Sequence, residues 1–258
     1  MLIDSIIKEA RPYLAERKIK DAVLGLSLIG IELDNNDIGL AYTLRNYLPP
    51  GCSVFGFAQD IIGANAYKVA QLASSGTDDA QRGVGVAVLT AGTRQLALHN
   101  DDNSEALFGL DVKPTDVVGM IGWIPPVAAK FAEKAKQLYV FDEGISLSNE
   151  KGPAYMKPME EQDKLLPQCD LAVITGSTFI NHSIDHLLEI SVKVREIVLV
   201  GSSTPMYPRA FAQTKVSVLA GSWWDSHQKE FLFKKISLSG GIHHVQPAML
   251  KMSVRIKH

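Results

Sequence analysis

The stretch from Thr115 to Glu143 does most to limit what this chain can fold into. Val117, Val118, Met120 and Ile121 form a short apolar run of the kind found in a buried strand. Gly122-Trp123-Ile124-Pro125-Pro126 makes a tight turn into an amphipathic helix, and Leu138 to Phe141 forms a second strand that ends in Asp142-Glu143. Strand, helix and strand in this order predict a parallel βαβ unit, the opening of a Rossmann-like sheet. Asp142 lies 20 residues after Gly122, the spacing at which a carboxylate at the end of the second strand reaches a ribose hydroxyl or its mimic.

The turn argues against an ordinary dinucleotide. Two of the three fingerprint glycines are missing, Trp123 stands where backbone must approach a pyrophosphate, and Pro125 and Pro126 remove two N–H donors from the helix start. A reading without any ligand also accounts for these residues: the prolines start the helix and Trp123 packs in a core.

The chain has 258 residues, 46% of them hydrophobic, enough for two compact domains. A formal charge of −2 gives no basic surface for nucleic acid or an anionic membrane. Cys52 and Cys169 are the only cysteines, so no disulfide framework or cysteine zinc site is expected, and a reduced cytoplasm is the natural home. The first residues carry Asp4, Lys8 and Glu9 inside their apolar pattern, which argues against a signal peptide or a membrane span.

Before the organising stretch, Ile3, Ile6, Ile7, Ala10 and Leu14 recur at helical spacing and predict a helix over 3–16, bent or shortened at Pro12. Lys20 to Leu33, the turn Asp34-Asn35-Asn36-Asp37 and Ile38 to Leu44 predict a β-hairpin. Pro49-Pro50-Gly51 breaks the chain, Ser53 to Phe57 is a candidate third strand, and 60–74 and 81–98 are expected to be helical. The small residues of the second of these helices, Gly83, Gly85, Ala87, Ala91 and Gly92, suit an interdomain or intersubunit contact, compatible with a homo-oligomer. Residues 100–104 read as a linker, which divides the chain into domains 1–104 and 105–258. Beyond the βαβ unit, 146–159 reads as a long loop that could serve as a lid, and 234–246 as an edge strand carrying His243 and His244 on opposite faces.

Three strands are expected to end in loops of one kind: Gly122-Trp123, Thr175-Gly176-Ser177-Thr178 with Asn181 beyond it, and Gly201-Ser202-Ser203-Thr204. A further strand ends at Gly221. In an open parallel sheet these ends share one edge, where ligands bind. Their hydroxyls and glycine amides suit a carboxylate, a phosphate or another oxygen-rich small molecule. The candidate binding set is therefore Gly122, Trp123, Pro125, Asp142, Glu143, Thr175, Gly176, Ser177, Thr178, Asn181, Gly201, Ser202, Ser203, Thr204 and Gly221. The plain alternative is that Ser, Thr and Gly simply cap the helices that follow.

His182 and His186 stand four apart on a predicted helix, the spacing at which two imidazoles share a metal ion, although no third ligand follows from spacing. Asp225 and His227 could share one face of an extended segment. No GxSxG elbow is present, no base can be placed beside Ser177, Ser202 or Ser203, and Cys169 is expected to be buried and inert. No catalytic residue is assigned.

The runs from Asp170 to Asn181, from Val198 to Pro205 with Tyr207-Pro208, and from Val218 to Gly221 together resemble the DUF364 family, labelled a "putative heavy-metal chelation" domain. Ile38 to Thr43 and Gly83 to Val88 resemble the DUF4213 domain that precedes it. The chain departs from the expected pattern at Thr90-Ala91, where an Asn-Ala pair is expected. The resemblance implies an α/β protein: an enolase-N-terminal-like α+β domain followed by a Rossmann-like domain with a mostly parallel sheet and a pocket between them. It also implies a transition metal or metal chelate as cofactor or ligand. The reading that follows is a binder of a small ligand, a metal chelate or metallophore, in an interdomain cleft. An enzyme using a nucleoside cofactor such as S-adenosylmethionine, held by Asp142, and a non-catalytic interaction protein are the alternatives.

Overall fold

The computed structural model describes residues 1–45, 48, 52–101, 107–144 and 153–257. The break at 49–51, most of the expected linker (102–104) and the first part of the expected lid (146–152) lie outside these residues.

The chain opens with α1 (Leu2–Leu14), which buries Leu2, Ile3, Ile6, Ile7, Ala10 and Leu14, the stripe its periodicity calls for, and continues past Pro12. A three-stranded antiparallel sheet follows: β1 (Ile19–Leu24), β2 (Leu28–Leu33) and β3 (Ile38–Tyr42), in that order. The single strand expected over 20–33 is thus two strands. Gly25-Leu26-Ser27 folds back on itself, with the Gly25 N–H donating to the Leu28 carbonyl (2.9 Å) and the Thr43 hydroxyl to the Gly25 carbonyl (2.8 Å). Residues 53–57 form bends and a turn rather than a strand.

Helices α2 (Ala66–Ala70), α3 (Leu72–Ser75) and α4 (Asp79–Gly92) cover one face of this sheet with α1. The expected helix over 60–74 begins late because the Asn65 side chain caps it, accepting from the Lys68 N–H at 3.0 Å. The small residues of α4 admit close neighbours: a Cβ on Gly85 would lie 2.1 Å from the Ala73 nitrogen, and one on Gly92 would lie 2.5 Å from the Tyr207 hydroxyl. The Thr90 hydroxyl donates to the Leu40 and Ala87 carbonyls.

The second sheet has six strands, β4 (Val117–Ile121), β5 (Gln137–Phe141), β6 (Leu171–Thr175), β7 (Glu196–Val200), β8 (Val216–Trp224) and β9 (Met249–Arg255). Their order is β5-β4-β6-β7-β8-β9, and only β9 runs antiparallel to its neighbour. Helix α5 (Pro125–Lys134) links β4 to β5, and Pro125 at its start needs no partner for a missing N–H. The short helices α6 (Gln162–Leu165) and α7 (Ile184–Ile190) flank β6. The expected edge strand over 234–246 is instead α8 (Lys229–Ser237) and α9 (Ile242–Val245), and the edge strand is β9.

The two sheets share one packed interior. β8 runs past the end of β7, whose Val200 pairs with Ala220, and Gly221 to Trp224 pair only with β9. Trp224 then meets Leu28, Ile38 and Leu40 of the first sheet, and Leu232, Phe233 and Ile236 of α8 complete that cluster. The first sheet is therefore covered on one face by its own helices and on the other by a helix formed more than 180 residues later, whose neighbour Ser239 accepts from the Ser27 hydroxyl across 212 residues.

Both outer edges of the second sheet are occupied. Asn100 and Asp101 bond along β9, and Val140 of β5 exchanges hydrogen bonds with Tyr155 and Lys157. Among the described residues no helix is long and apolar enough to cross a membrane.

Candidate functional site

The strand order reverses between β4 and β6, since β5 lies to one side of β4 and β6 to the other. At such a switch point the loops leaving the two strands part, and the crevice at their carboxyl ends is where open parallel sheets bind ligands.

The loops leaving β4, β6 and β7 touch in sequence, and glycine permits each contact. Gly122 has φ +83°, and a Cβ there would stand 2.8 Å from Thr175 Cγ2. A Cβ on Gly176 would stand 2.6 Å from both the Ser203 carbonyl carbon and the Thr204 nitrogen, so this loop packs backbone against backbone. Gly221, at the carboxyl half of β8, faces Met206, whose sulfur would lie 2.8 Å from an added Cβ.

Each loop is also tied internally. The Gly122 N–H donates to the Phe141 carbonyl, and the Trp123 N–H donates to Asp142 Oδ2, both at 2.8 Å, which holds the end of β5 against the turn after β4. Glu143 follows, half-buried like Asp142. The Ser177 N–H bonds to Thr175 Oγ1 (3.4 Å), and the Thr178 hydroxyl donates to the Thr175 carbonyl (2.7 Å). After β7, Gly201 takes φ +113° and the Thr204 N–H closes the turn on the Gly201 carbonyl at 3.0 Å. The buried Ser203 hydroxyl accepts the Tyr42 N–H from the end of β3 (2.8 Å). The fully buried Tyr207 hydroxyl donates to the Leu89 carbonyl of α4 (3.0 Å), and burial pushes its pKa well above the ordinary range.

Three polar atoms at these loops stand apart. Trp123 Nε1, Ser202 Oγ and Thr204 Oγ1 are buried and have no hydrogen-bond partner, although Ser202 and Thr204 are only 3% and 1% exposed. A buried polar group without a partner costs about 1–3 kcal/mol, and native proteins keep few of them. The indole N–H is a donor only, and the two hydroxyls can donate, so each could serve a hydrogen-bond acceptor.

Other expected site residues lie elsewhere. Pro125 is exposed at the start of α5. Asn181 is exposed, and its side-chain oxygen accepts from the N–H and hydroxyl of Ser183. His182 precedes α7 rather than lying on it, with φ +59°, and its Nε2 is 3.0 Å from the Ala73 carbonyl. His186, on α7, has its Nε2 3.0 Å from Asp163 Oδ1. The premise of two histidines on one helical face therefore does not hold: the turn at Asn181-His182 takes the first imidazole to α3 and the second to α6. Among the described residues no three His, Cys, Asp or Glu side chains gather as a metal cage would require. His243 and His244 stack at 3.7 Å on α9 instead of pointing to opposite faces of a strand. Asp225 accepts from the His227 N–H as a turn cap, so these two share no extended face. Cys169 is buried, its thiol pushed up to about 12 by burial, as expected of an inert cysteine.

Two shallow grooves lie away from the switch point. One runs between α1 and α2–α3, past Asp4, Tyr67 and Gln71, and the other past Phe108, Val218 and Arg255 beside β8 and β9. The chemistry of both is that of an ordinary surface; among the described residues the loops after β4 and β7 carry three of the buried unpaired polar atoms, and the other two, Gln95 Nε2 and Trp224 Nε1, lie away from these loops.

A family model described as "Putative heavy-metal chelation", DUF364, matches residues 106–255, and a second with the same description, DUF4213, matches 7–92. The chain belongs to the DUF364 family. A DUF364 protein of unknown function from Pyrococcus horikoshii has the same fold, with a TM-score of 0.81, 20% identity, and coverage of 99% of this chain and 100% of that one. A second DUF364 protein of unknown function, from Desulfitobacterium hafniense DCB-2, gives a TM-score of 0.79 at 19% identity, over 98% of each chain. No curated protein matches this sequence. Tyr42, which joins this edge from the first sheet of the DUF364 chain, is a residue that sequence reasoning missed. It lies 161 positions from Ser203, and no spacing signals the contact.

Proposed function

We propose that this chain binds a small, acceptor-rich molecule in a crevice at the carboxyl ends of β4, β6 and β7, between a Rossmann-like layer and an enolase-N-terminal-like layer. The observation that carries the reading is the set of buried unpaired atoms, Trp123 Nε1, Ser202 Oγ and Thr204 Oγ1, beside the switch point. A bound carboxylate, phosphate or carbonyl-bearing ring would give each of them a partner. The family description favours a metal chelate or metallophore as cargo. The separation of His182 from His186 favours a metal that arrives within an organic chelator, whose oxygens the loops would hold, over a bare ion held by side chains.

A thermal-shift panel tests this with divalent metals alone, the same metals with citrate, nucleosides and pterin-like heterocycles. A ligand at a hundred times its Kd adds about 2.7 kcal/mol to native stability, a shift readily seen in the melting temperature. The expected result is a rise with metal citrate or an oxygen-rich organic molecule that is lost in Ser202→Ala/Thr204→Val. A rise with bare metal that survives in this variant, or no rise with any probe, overturns the reading. A rise confined to nucleosides moves it to the nucleoside-dependent alternative.

A further inference from the structure

Most strand edges in this protein are closed by a specific device. Asn100 and Asp101 bond along β9, and Tyr155 and Lys157 pair with Val140 of β5. On β3 the Tyr42 N–H goes to Ser203 Oγ and the Leu40 carbonyl receives the Thr90 hydroxyl. The first part of β1 is closed where Ile19 exchanges bonds with Gly63 and Ala64. Exposed edges invite another strand, and proteins ordinarily block them in such ways.

The second half of β1 is different. The Gly25 N–H bonds to the Leu28 carbonyl, and antiparallel pairing alternates, so Leu24 and Ala22 turn their backbone groups away from β2. The Ala22 N–H is taken by the Asp21 carboxylate (2.8 Å), and Leu24 has no backbone partner on this side among the described residues. The edge is also apolar. Leu24, Leu26 and Leu238 are 39%, 57% and 65% exposed, and Leu238 belongs to the same corner, since Ser27 bonds to the adjoining Ser239.

We propose that this edge joins a second copy of the chain, β1 against β1 in antiparallel fashion across a two-fold axis. With Val23 on the axis, Leu24 of one copy faces Ala22 of the other, and the Leu24 N–H of each copy donates to the Ala22 carbonyl of the other, the Ala22 N–H staying with Asp21. The flanking helix fits the same symmetry. α8 runs alongside β1 in the same direction, since Lys229 at its start pairs with Asp21 and Ile236 near its end lies over Gly25. A two-fold axis therefore sets the two α8 helices antiparallel and brings Glu230, whose side chain is 91% exposed, toward Lys234 of the second copy, twice over. Glu230 also bonds to Lys229 of its own chain at 3.1 Å, and its exchange with Lys234 across the axis is the charge complementarity that favours a second copy as the occupant.

Sedimentation velocity of the full chain across the micromolar range tests the proposal. The expected species has twice the chain mass. Leu24→Pro removes an outward N–H, a change an edge strand tolerates, and should give a monomer with an unchanged circular dichroism spectrum. Glu230→Lys should raise the dimer dissociation constant about tenfold, and Glu230→Lys/Lys234→Glu should restore it. A parent that stays monomeric overturns the proposal, as does a dimer that Leu24→Pro leaves intact. Should Leu24→Pro fail to fold, the charge pair decides: weakening without rescue, or no weakening, also overturns it.

Discussion

The hydroxyl of Ser203 accepts the backbone N–H of Tyr42 at 2.8 Å, joining the loop after β7 to the last residue of β3. Its neighbours Ser202 and Thr204 are equally buried and bond to nothing through their hydroxyls. One loop thus carries a hydroxyl that holds the two sheets together between two that do not.

These roles separate by mutation. Ser203→Ala leaves the Tyr42 N–H buried without an acceptor and should cost about 1–3 kcal/mol in urea unfolding. Ser202→Ala and Thr204→Val remove no bond within the protein and take away an unpaired buried group, so each should leave stability unchanged or raise it by up to about 1–3 kcal/mol. Equal losses at all three positions would show that the hydroxyls act alike.

Gly176→Ala should destabilise more than its chemistry suggests. The added Cβ meets backbone atoms of Ser203 and Thr204 at 2.6 Å, and backbone cannot swing aside as a side chain can. A loss of about 1–3 kcal/mol in unfolding free energy is expected. Neutral behaviour would mean that the loops are not in contact.

Asp142 should separate by acceptor and not by charge. Asp142→Asn keeps an oxygen for the Trp123 N–H and should unfold at a higher denaturant concentration than Asp142→Ala. Asp142→Ala removes it and should lose about 0.5–1.5 kcal/mol. Loss of ligand affinity in Asp142→Asn without loss of stability would place the charge itself against the ligand.

At the opposite ends of the strands, Asp116 is paired with Arg195, whose guanidinium holds its carboxyl below the ordinary aspartate value of 3.8. A carboxyl with a lowered folded pKa contributes stability that is present above 3.8 and lost as pH falls through the folded value. Unfolding midpoints measured from pH about 5 downward should therefore fall more steeply for the parent than for Asp116→Asn. Parallel curves would remove this pair from the acid response.

Much of the second sheet was legible because its strands are short apolar runs ended by Gly, Ser or Thr, a pattern that survives without knowledge of neighbours. The convergence of Gly122, Gly176 and Ser203 followed from the same pattern. The first sheet was read less well: Gly25-Leu26-Ser27 carries a weak turn signal, and the fold-back is fixed by its bond to Leu28 and by Thr43. The edge strand was placed too early because the apolar residues of 234–246, Ile236, Leu238, Ile242 and Val245, are too sparse to fix a period, while α8 has its apolar face set by the first sheet. The expectation of both histidines on one helix failed for a local reason, a left-handed residue at His182, which spacing cannot show. The partnership of Tyr42 with Ser203 is purely tertiary, and nothing along the chain announces it.

The cluster of Leu28, Ile38 and Leu40 with Leu232, Phe233 and Ile236 has a consequence for biosynthesis. On a translating ribosome the first sheet can fold against its own helices long before α8 has been made, and until then its other face meets water or a chaperone. That interval should make the nascent chain prone to aggregation. A fragment ending after β7 should therefore be recovered mainly as a chaperone complex or as insoluble material.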